Sequence, residues 1–281
     1  MTRDEDGYRV LHYDASRAAA WNKWFHIMED GAQPLSDRMV GLANIGPGSS
    51  VLDIATGLGE PALTAARLAG PSGHVLATDL SLEMLAFARE RASAAGLSNI
   101  EFRQMDANRL DVVESSFDAV LSRWGLMFLA HLDDTLAAVG NCLKPHGRFA
   151  AAVWGAPEDA PSVSLSNRVV LKALGLAPPD EGAMTPFALQ DTDGLIQRVR
   201  KAGFREVQSE WFDVNYVFPT PKIFAEFRRD RAGELKDRIS HMPASSQDAA
   251  WAAVAEAAKD YIAPDGVVRM RNRAFCLVAL R

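Results

Sequence analysis

The stretch Val51-Leu52-Asp53-Ile54-Ala55-Thr56-Gly57-Leu58-Gly59-Glu60-Pro61-Ala62-Leu63 decides the fold. A short apolar run carries a carboxylate, a glycine-containing turn follows, and a helix-compatible segment begins. That order places Asp53 at the carboxyl end of a buried strand. In open α/β sheets, ligands bind outside those strand ends. Gly57 and Gly59 allow a tight turn and let a ligand approach the backbone where a Cβ would clash.

Outward from this unit the chain alternates strand and helix. Val51–Ala55 reads as the first strand, and Pro61–Leu68 opens the first helix. His74–Thr78 is a strand ending at Asp79. Leu82–Ala95 is a helix with Ser81 as N-cap, Glu83 in its first turn and Gly96 at its end. Ile100–Met105 and Phe117–Ser122 are strands, Leu132–Leu143 is a helix, and Arg148–Trp154 is the fifth strand. Such alternation implies parallel pairing and a sheet covered on both faces. Later, Leu165–Leu174, Leu195–Ala202, Phe224–Ile239 and Ala249–Ile262 read as helices. Arg205–Phe218 reads as a strand, and Val267–Leu280 as a last strand that pairs antiparallel. The fold class is therefore α/β, with a doubly wound, mostly parallel seven-stranded sheet, an antiparallel last strand and a helical lid. Residues 1–48 supply two helices that join the lid and end at Gly46-Pro47-Gly48. Residues 49–155 form the core, and residues 156–281 complete the sheet and carry the inserted lid.

The 281 residues, 48% of them hydrophobic, suffice for one sizeable core. The net charge of -6 argues against nucleic-acid binding, which needs clustered Lys and Arg. Two distant cysteines and no Cys-x-x-Cys pair exclude a zinc knuckle, and no metal is expected. The polar, acidic start is unlike a signal peptide, and no apolar run is long enough to span a bilayer. The expected setting is the cytoplasm, with a small molecule as partner and a homodimer left open.

Three carboxylates, Asp53, Asp79 and Asp106, follow three successive strands, whose ends lie side by side in a doubly wound sheet. Asp79 can accept hydrogen bonds from both hydroxyls of a ribose. Asp106 can accept from an adenine amine, and Asp53 can neutralise a cationic amino group.

Together with Ala77-Thr78-Asp79-Leu80-Ser81-Leu82-Glu83-Met84-Leu85, Met105-Asp106-Ala107 and Ser116-Phe117-Asp118-Ala119-Val120, the opening stretch resembles the class I S-adenosylmethionine-dependent methyltransferases. The run Leu121-Ser122-Arg123-Trp124-Gly125-Leu126-Met127-Phe128, with Leu143-Lys144-Pro145-His146-Gly147-Arg148, is similar to the branch that includes the ubiquinone/menaquinone C-methyltransferases. The similarity is best over residues 45–155. It implies S-adenosyl-L-methionine as cofactor, with the turn Ala55-Thr56-Gly57 to Gly59 around its methionine part and Asp79 on its ribose. It further implies that Leu80 and Met84 pack against the adenine and that Asp106-Ala107 meets the adenine edge. Backbone near Ser122-Arg123 would face the amino group. The family often has Gly where this chain has Ala55, and usually Gly where it has His146.

Two other classes compete. Gly57-Leu58-Gly59-Glu60-Pro61-Ala62 also fits Gly-x-Gly-x-x-Ala, with Asp79 20 residues after Gly59, as in an NAD(P)-dependent oxidoreductase. Against this, Asp53 and Glu60 would face a pyrophosphate with two negative charges. A non-catalytic S-adenosylmethionine-binding protein is the other alternative. The expected reaction is methyl transfer to a small, apolar or aromatic molecule, at O, N or C. If a base is needed, the candidates are His131, His12 and Tyr13.

Overall fold

The computed structural model describes residues 2–3, 9–10, 14–179 and 184–281. Two short strands, β1 (Thr2–Arg3) and β2 (Arg9–Val10), form a small antiparallel sheet of their own. Helices α1 (Ala15–Lys23) and α2 (Phe25–Leu42) follow. The alternating core then runs β3 (Ser50–Ile54), α3 (Ala62–Ala69), β4 (His74–Asp79), α4 (Leu82–Ala94) and β5 (Ile100–Gln104). It continues as β6 (Phe117–Arg123), α5 (Leu132–Cys142) and β7 (Leu143–Trp154). The remainder comprises α6 (Pro161–Ala173), α7 (Thr192–Lys201), β8 (Arg205–Phe218), α8 (Pro221–Asp230), α9 (Glu234–Ile239), α10 (Ala244–Ala257) and β9 (Val268–Leu280).

The main sheet has seven strands in the order β5-β4-β3-β6-β7-β9-β8. β3 to β7 pair in parallel, and β9 lies antiparallel between β7 and β8. The chain steps outward from β3 to β4 and β5, then returns to lay β6 on the free side of β3. That reversal opens a crevice between the carboxyl ends of β3 and β6. Asp53 pairs with Ala77 on one side and Leu121 on the other, at the mouth of this crevice. Val51 to Ile54 are all buried, as a central parallel strand requires. Val51 faces a core made with Ala62, Ala65, Ala66 and Ala69 of α3. Leu52 and Ile54 face the larger core with Val120 and Phe149. The period of two puts Asp53 on the face of Val51.

The last two strands position the cap. β7 pairs with β9 only as far as Trp154 opposite Ala274, where β7 ends. Beyond that point Val268–Arg273 pair with Asp213–Phe218 of β8 alone. The two strands thus run on as an arm past the carboxyl edge of the parallel sheet, for roughly 20 Å. Helices α8, α9 and α10 connect the arm's tip, so the cap stands on the crevice side. α2 braces the arm closely. A Cβ on Gly31 would lie 2.5 Å from the Asn215 carbonyl and 2.6 Å from the Tyr216 ring.

Several elements differ from the sequence reading. The single helix expected over Phe224–Ile239 is two helices, broken at Ala232-Gly233, where Gly233 takes a φ of 49°. β7 starts at Leu143 rather than Arg148, and it absorbs Pro145 and His146 (φ 65°) through a register shift against β6. α6 starts at Pro161, whose missing N–H costs nothing in a first helical turn. α10 starts at Ala244, and the segment ends in a 3-10 turn over Ala258–Tyr261. No helix among the described residues is long and apolar enough to cross a membrane.

Candidate functional site

The turn after β3 owes its shape to three left-handed residues: Ala55 (φ 59°), Gly57 (φ 56°) and Gly59 (φ 111°). Thr56 donates its N–H to the Thr78 carbonyl, and Gly59 donates to the Thr56 carbonyl, both at 2.9 Å. A Cβ on Gly57 would meet nothing within 4 Å, so this turn presents bare backbone to open space. Gly59 instead lies close to Leu63 and Ala88, and serves packing. Ala55 bears the strain of a left-handed backbone, about 1–2 kcal/mol for an L-residue. Its methyl fits because its neighbour is a glycine: a Cβ on Gly125 would come within 2.6 Å of it. Gly125 is thus part of the site's construction, and the Trp124-Gly125 pair directly after β6 was its only sequence signal.

Four acidic side chains surround this turn. Asp53 is fully buried, and among the described residues its carboxylate feels the Thr56 hydroxyl and the Ala62 N–H as donors, neither in good hydrogen-bond geometry. Burial raises its pKa to about 7, against the pull of Thr56 and Arg123 and with a push from Glu60. Glu60 is also buried; its Oε2 accepts from the Thr64 hydroxyl at 2.7 Å, and burial raises its pKa too. Asp79 ties two loops together, accepting from the Gly57 N–H at 2.8 Å and the Ser81 N–H at 2.9 Å. Burial pushes its pKa up against these backbone donors. A carboxylate can accept about four hydrogen bonds, more than these backbone donors supply. Asp106 accepts from the backbone and side-chain nitrogens of Asn108 through Oδ1, both at 2.9 Å. Ser81 caps α4 by accepting from the Met84 N–H, which buries Met84 beside the loop. Leu80 is 38% exposed, and its carbonyl accepts from Gln104.

Beyond β6 the side chains turn away from the crevice. The Ser122 hydroxyl donates to the Ile54 carbonyl at 3.1 Å. Arg123 forms a two-pronged, buried ion pair with Glu29 of α2, at 2.6 and 2.9 Å, and also donates to Ser36. Neither side chain is therefore available as a direct ligand contact, which leaves that part of the expectation to their backbone. Trp124 (φ 60°) stacks on Trp154 with ring centroids 4.3 Å apart, and its buried indole N–H has no acceptor. These two rings, at the ends of β6 and β7, form an aromatic shelf. His131 begins α5; its N–H donates to Asn108, and the Ala107 carbonyl accepts from Thr135 in the same helix. His131 is thus tied through its backbone to the loop of Asp106 and Ala107. His12 and Tyr13 lie outside the described residues. Among the described residues, no three His, Cys, Asp or Glu side chains gather where they could hold a metal. A cavity of about 450 Å³ between α6 and α10 is lined by Leu174, Met242, Pro243 and other cap residues, and by none of the crevice residues.

The donor set is suited to a cationic, nucleoside-bearing ligand. Two buried carboxylates flank the turn, one without a well-formed hydrogen bond among the described residues, and a bare glycine faces open space. A family model described as a methyltransferase domain matches residues 51–147. The ubiquinone/menaquinone biosynthesis C-methyltransferase UbiE of Ectopseudomonas oleovorans is 36% identical over 142 residues, 50% of this chain and 84% of that one. The chain belongs to the class I S-adenosylmethionine-dependent methyltransferases, in their UbiE-like branch. UbiE of Pseudomonas fluorescens is 33% identical over 154 residues, so the match spans 54% of this chain and 60% of that relative. A solved S-adenosylmethionine-dependent methyltransferase from Aquifex aeolicus superposes with a TM-score of 0.55 at 16% identity, covering 96% of this chain and 99% of that one. The last likeness concerns the fold alone. The family model ends at Gly147, so the cap and the β8–β9 arm lie beyond it.

Proposed function

We propose that this protein transfers the methyl group of S-adenosyl-L-methionine to a small, largely apolar or aromatic molecule. The observation that carries this reading is the buried carboxylate of Asp53, with no well-formed hydrogen bond among the described residues, beside the bare backbone of Gly57. A buried charge without a partner is costly, and a ligand ammonium supplies the partner. When bound, the cofactor supplies an activated methyl group. Asp53 would hold its amino end, and Ala55, Thr56 and Gly57 would follow its chain. Asp79 would take the ribose hydroxyls, while Leu80, Met84, Asp106 and Ala107 would enclose the adenine. The cap excludes water and aligns the acceptor, and alignment of this kind can be worth ~10⁵ M in effective concentration. Two buried carboxylates at the start of α3 disfavour the pyrophosphate of a nicotinamide cofactor. The printed names of the UbiE relatives favour carbon as the acceptor atom, on a ring of quinone type.

Incubation with methyl-labelled cofactor and a panel of quinols, phenols and amines tests this. Label transferred to a quinol or phenol is the expected result. Binding of S-adenosylhomocysteine with no transfer to any member would favour a non-catalytic binding protein.

A further inference from the structure

Tyr216, in the β8–β9 arm, links the crevice to the cap. It is buried, and it feels Arg231, Arg123, Glu29 and Arg228 electrostatically. Arg123 ends β6, and Glu29 lies in α2, the helix that braces the arm. Arg228 is in α8, and Arg231 ends that helix. The Arg231 guanidinium lies 3.7 Å from the Trp21 ring centre and 4.6 Å from that of Phe227.

Arg228 stands apart from the other buried cations. It is only 9% exposed. Its Nε donates to the Ser166 hydroxyl at 2.9 Å and its Nη2 to the Val163 carbonyl at 3.0 Å, both neutral acceptors. No carboxylate among the described residues pairs with it, in contrast to the Arg123–Glu29 pair nearby. Its Nη1 donates to none of the described residues. Burial, with Arg231 adding to it, drags its pKa down to about 9. A guanidinium buried among neutral acceptors in this way lacks the counter-charge that buried ions require.

We propose that Arg228 anchors an oxyanion, a carboxylate or phosphate, carried by the small molecule that accepts the methyl group. The inference rests on the reading under Proposed function and narrows its substrate class. The geometry favours it on three grounds. The arm brings α8 to the carboxyl edge of the sheet, where that molecule must enter. Arginine presents a planar fork that matches an oxyanion and forms its strongest hydrogen bonds with one. The charges at the two ends also differ in sign. The acidic turn of Asp53 and Glu60 offers an anion no cationic partner, while Arg228 attracts it to the cap, so an anionic acceptor is held in one orientation with its acidic group distal.

Calorimetry on the full chain saturated with S-adenosylhomocysteine tests this, with benzoate, phenyl phosphate and neutral benzamide as probes. At least one acid should bind at least about tenfold more tightly than benzamide, as expected for a charged hydrogen bond. Whichever of benzoate or phenyl phosphate binds better identifies the oxyanion. Arg228→Met should lose that preference while keeping its affinity for S-adenosylhomocysteine. Its melting temperature should be equal or higher, since an apolar side chain replaces an unpaired buried charge. Arg228→Lys should retain part of the preference. Equal binding of benzamide and the acids, no binding of either acid, or an unchanged preference in Arg228→Met overturns the proposal. Failure of S-adenosylhomocysteine itself to bind would overturn the methyltransferase reading first, and this inference with it.

Discussion

The turn around Asp53 and the cap around Arg228 both bury charge, and the hydrogen bonds they offer it come from different distances along the chain. In the first region the partners are mainly backbone groups and near neighbours. Asp79 accepts from Gly57 and Ser81, and Asp106 from Asn108. In the second region the partners come from remote elements. Arg228 of α8 reaches Ser166 and Val163 of α6, and beneath the cap Arg123, at the end of β6, reaches Glu29 of α2, the helix that braces the arm. The contrast matches what each part must do. A loop that wraps one cofactor can be built locally, because its ligand is always the same. A cap that selects a second molecule is assembled from several helices, any of which can change without disturbing the loop.

If that contrast is sound, damage in the two regions should look different. The largest effect should come from Arg123→Met, which strands Glu29, itself only 14% exposed, without its counter-charge. Breaking a buried pair this way costs about 3–5 kcal/mol. By comparison, Lys144→Ala, at a pair whose side chains are 40% and 43% exposed, should cost less than about 1 kcal/mol. Urea unfolding of both variants measures this, and equal losses would remove the brace from α2 to β6. In the loop, the cost should fall on binding instead. Gly57→Val should weaken S-adenosylhomocysteine about a hundredfold or more while the protein stays folded, because no protein atom opposes the new Cβ and only backbone strain opposes folding. A Gly57→Val protein that binds normally would mean the turn merely joins strand to helix.

Asp79→Ala should weaken the same ligand by about 1.5–3 kcal/mol, and Asp79→Asn less. Here the structure adds a second contribution, since the Ala variant also releases the Gly57 and Ser81 N–H groups. Slower amide exchange at Gly57 in the Asn variant than in the Ala variant would separate the two contributions. The smallest effect is expected at His131. Its backbone tie to Asn108 and its place at the start of α5 favour a helix-start role. His131→Ala should cost less than about threefold in turnover, with an unchanged pH profile. A loss of ~10²–10⁴-fold would instead identify it as a general base.

The same division explains how far the sequence could be read. The order of strands and helices, the placement of Asp53, Asp79 and Asp106 at strand ends, and the Ser81 cap all follow from local patterns within a dozen residues. The strand-to-strand reversal follows from the alternation itself. Gly125 was not legible, because its reason is Ala55, which is remote in sequence and adjacent only in the folded sheet. The direction of the Arg123 side chain depended on α2, and nothing near Arg123 names Glu29 as its partner. The run Arg228-Arg229-Asp230-Arg231 alone does not show that its first member is buried against α6. The break at Gly233 was missed because apolar spacing continued across it.

The central claim is that Asp53 is the counter-charge for a bound ammonium, and its titration tests that most directly. Burial raises its pKa to about 7 from an ordinary 3.8, so between these values the folded protein holds a proton that the unfolded chain has released. Its contribution to stability without ligand is therefore full below the unfolded value and is lost as pH rises through the folded one. A bound ammonium favours the carboxylate and reverses that preference. Calorimetry of wild type and Asp53→Asn with S-adenosylhomocysteine, from about pH 6 to about pH 8, reads the effect. The account predicts that wild-type affinity climbs with pH, by at most about tenfold per unit, and flattens above the Asp53 pKa, with proton release on binding below it. Asp53→Asn should bind more weakly, with little of that slope. An affinity independent of pH in the wild type, or a slope that survives in Asp53→Asn, would contradict it.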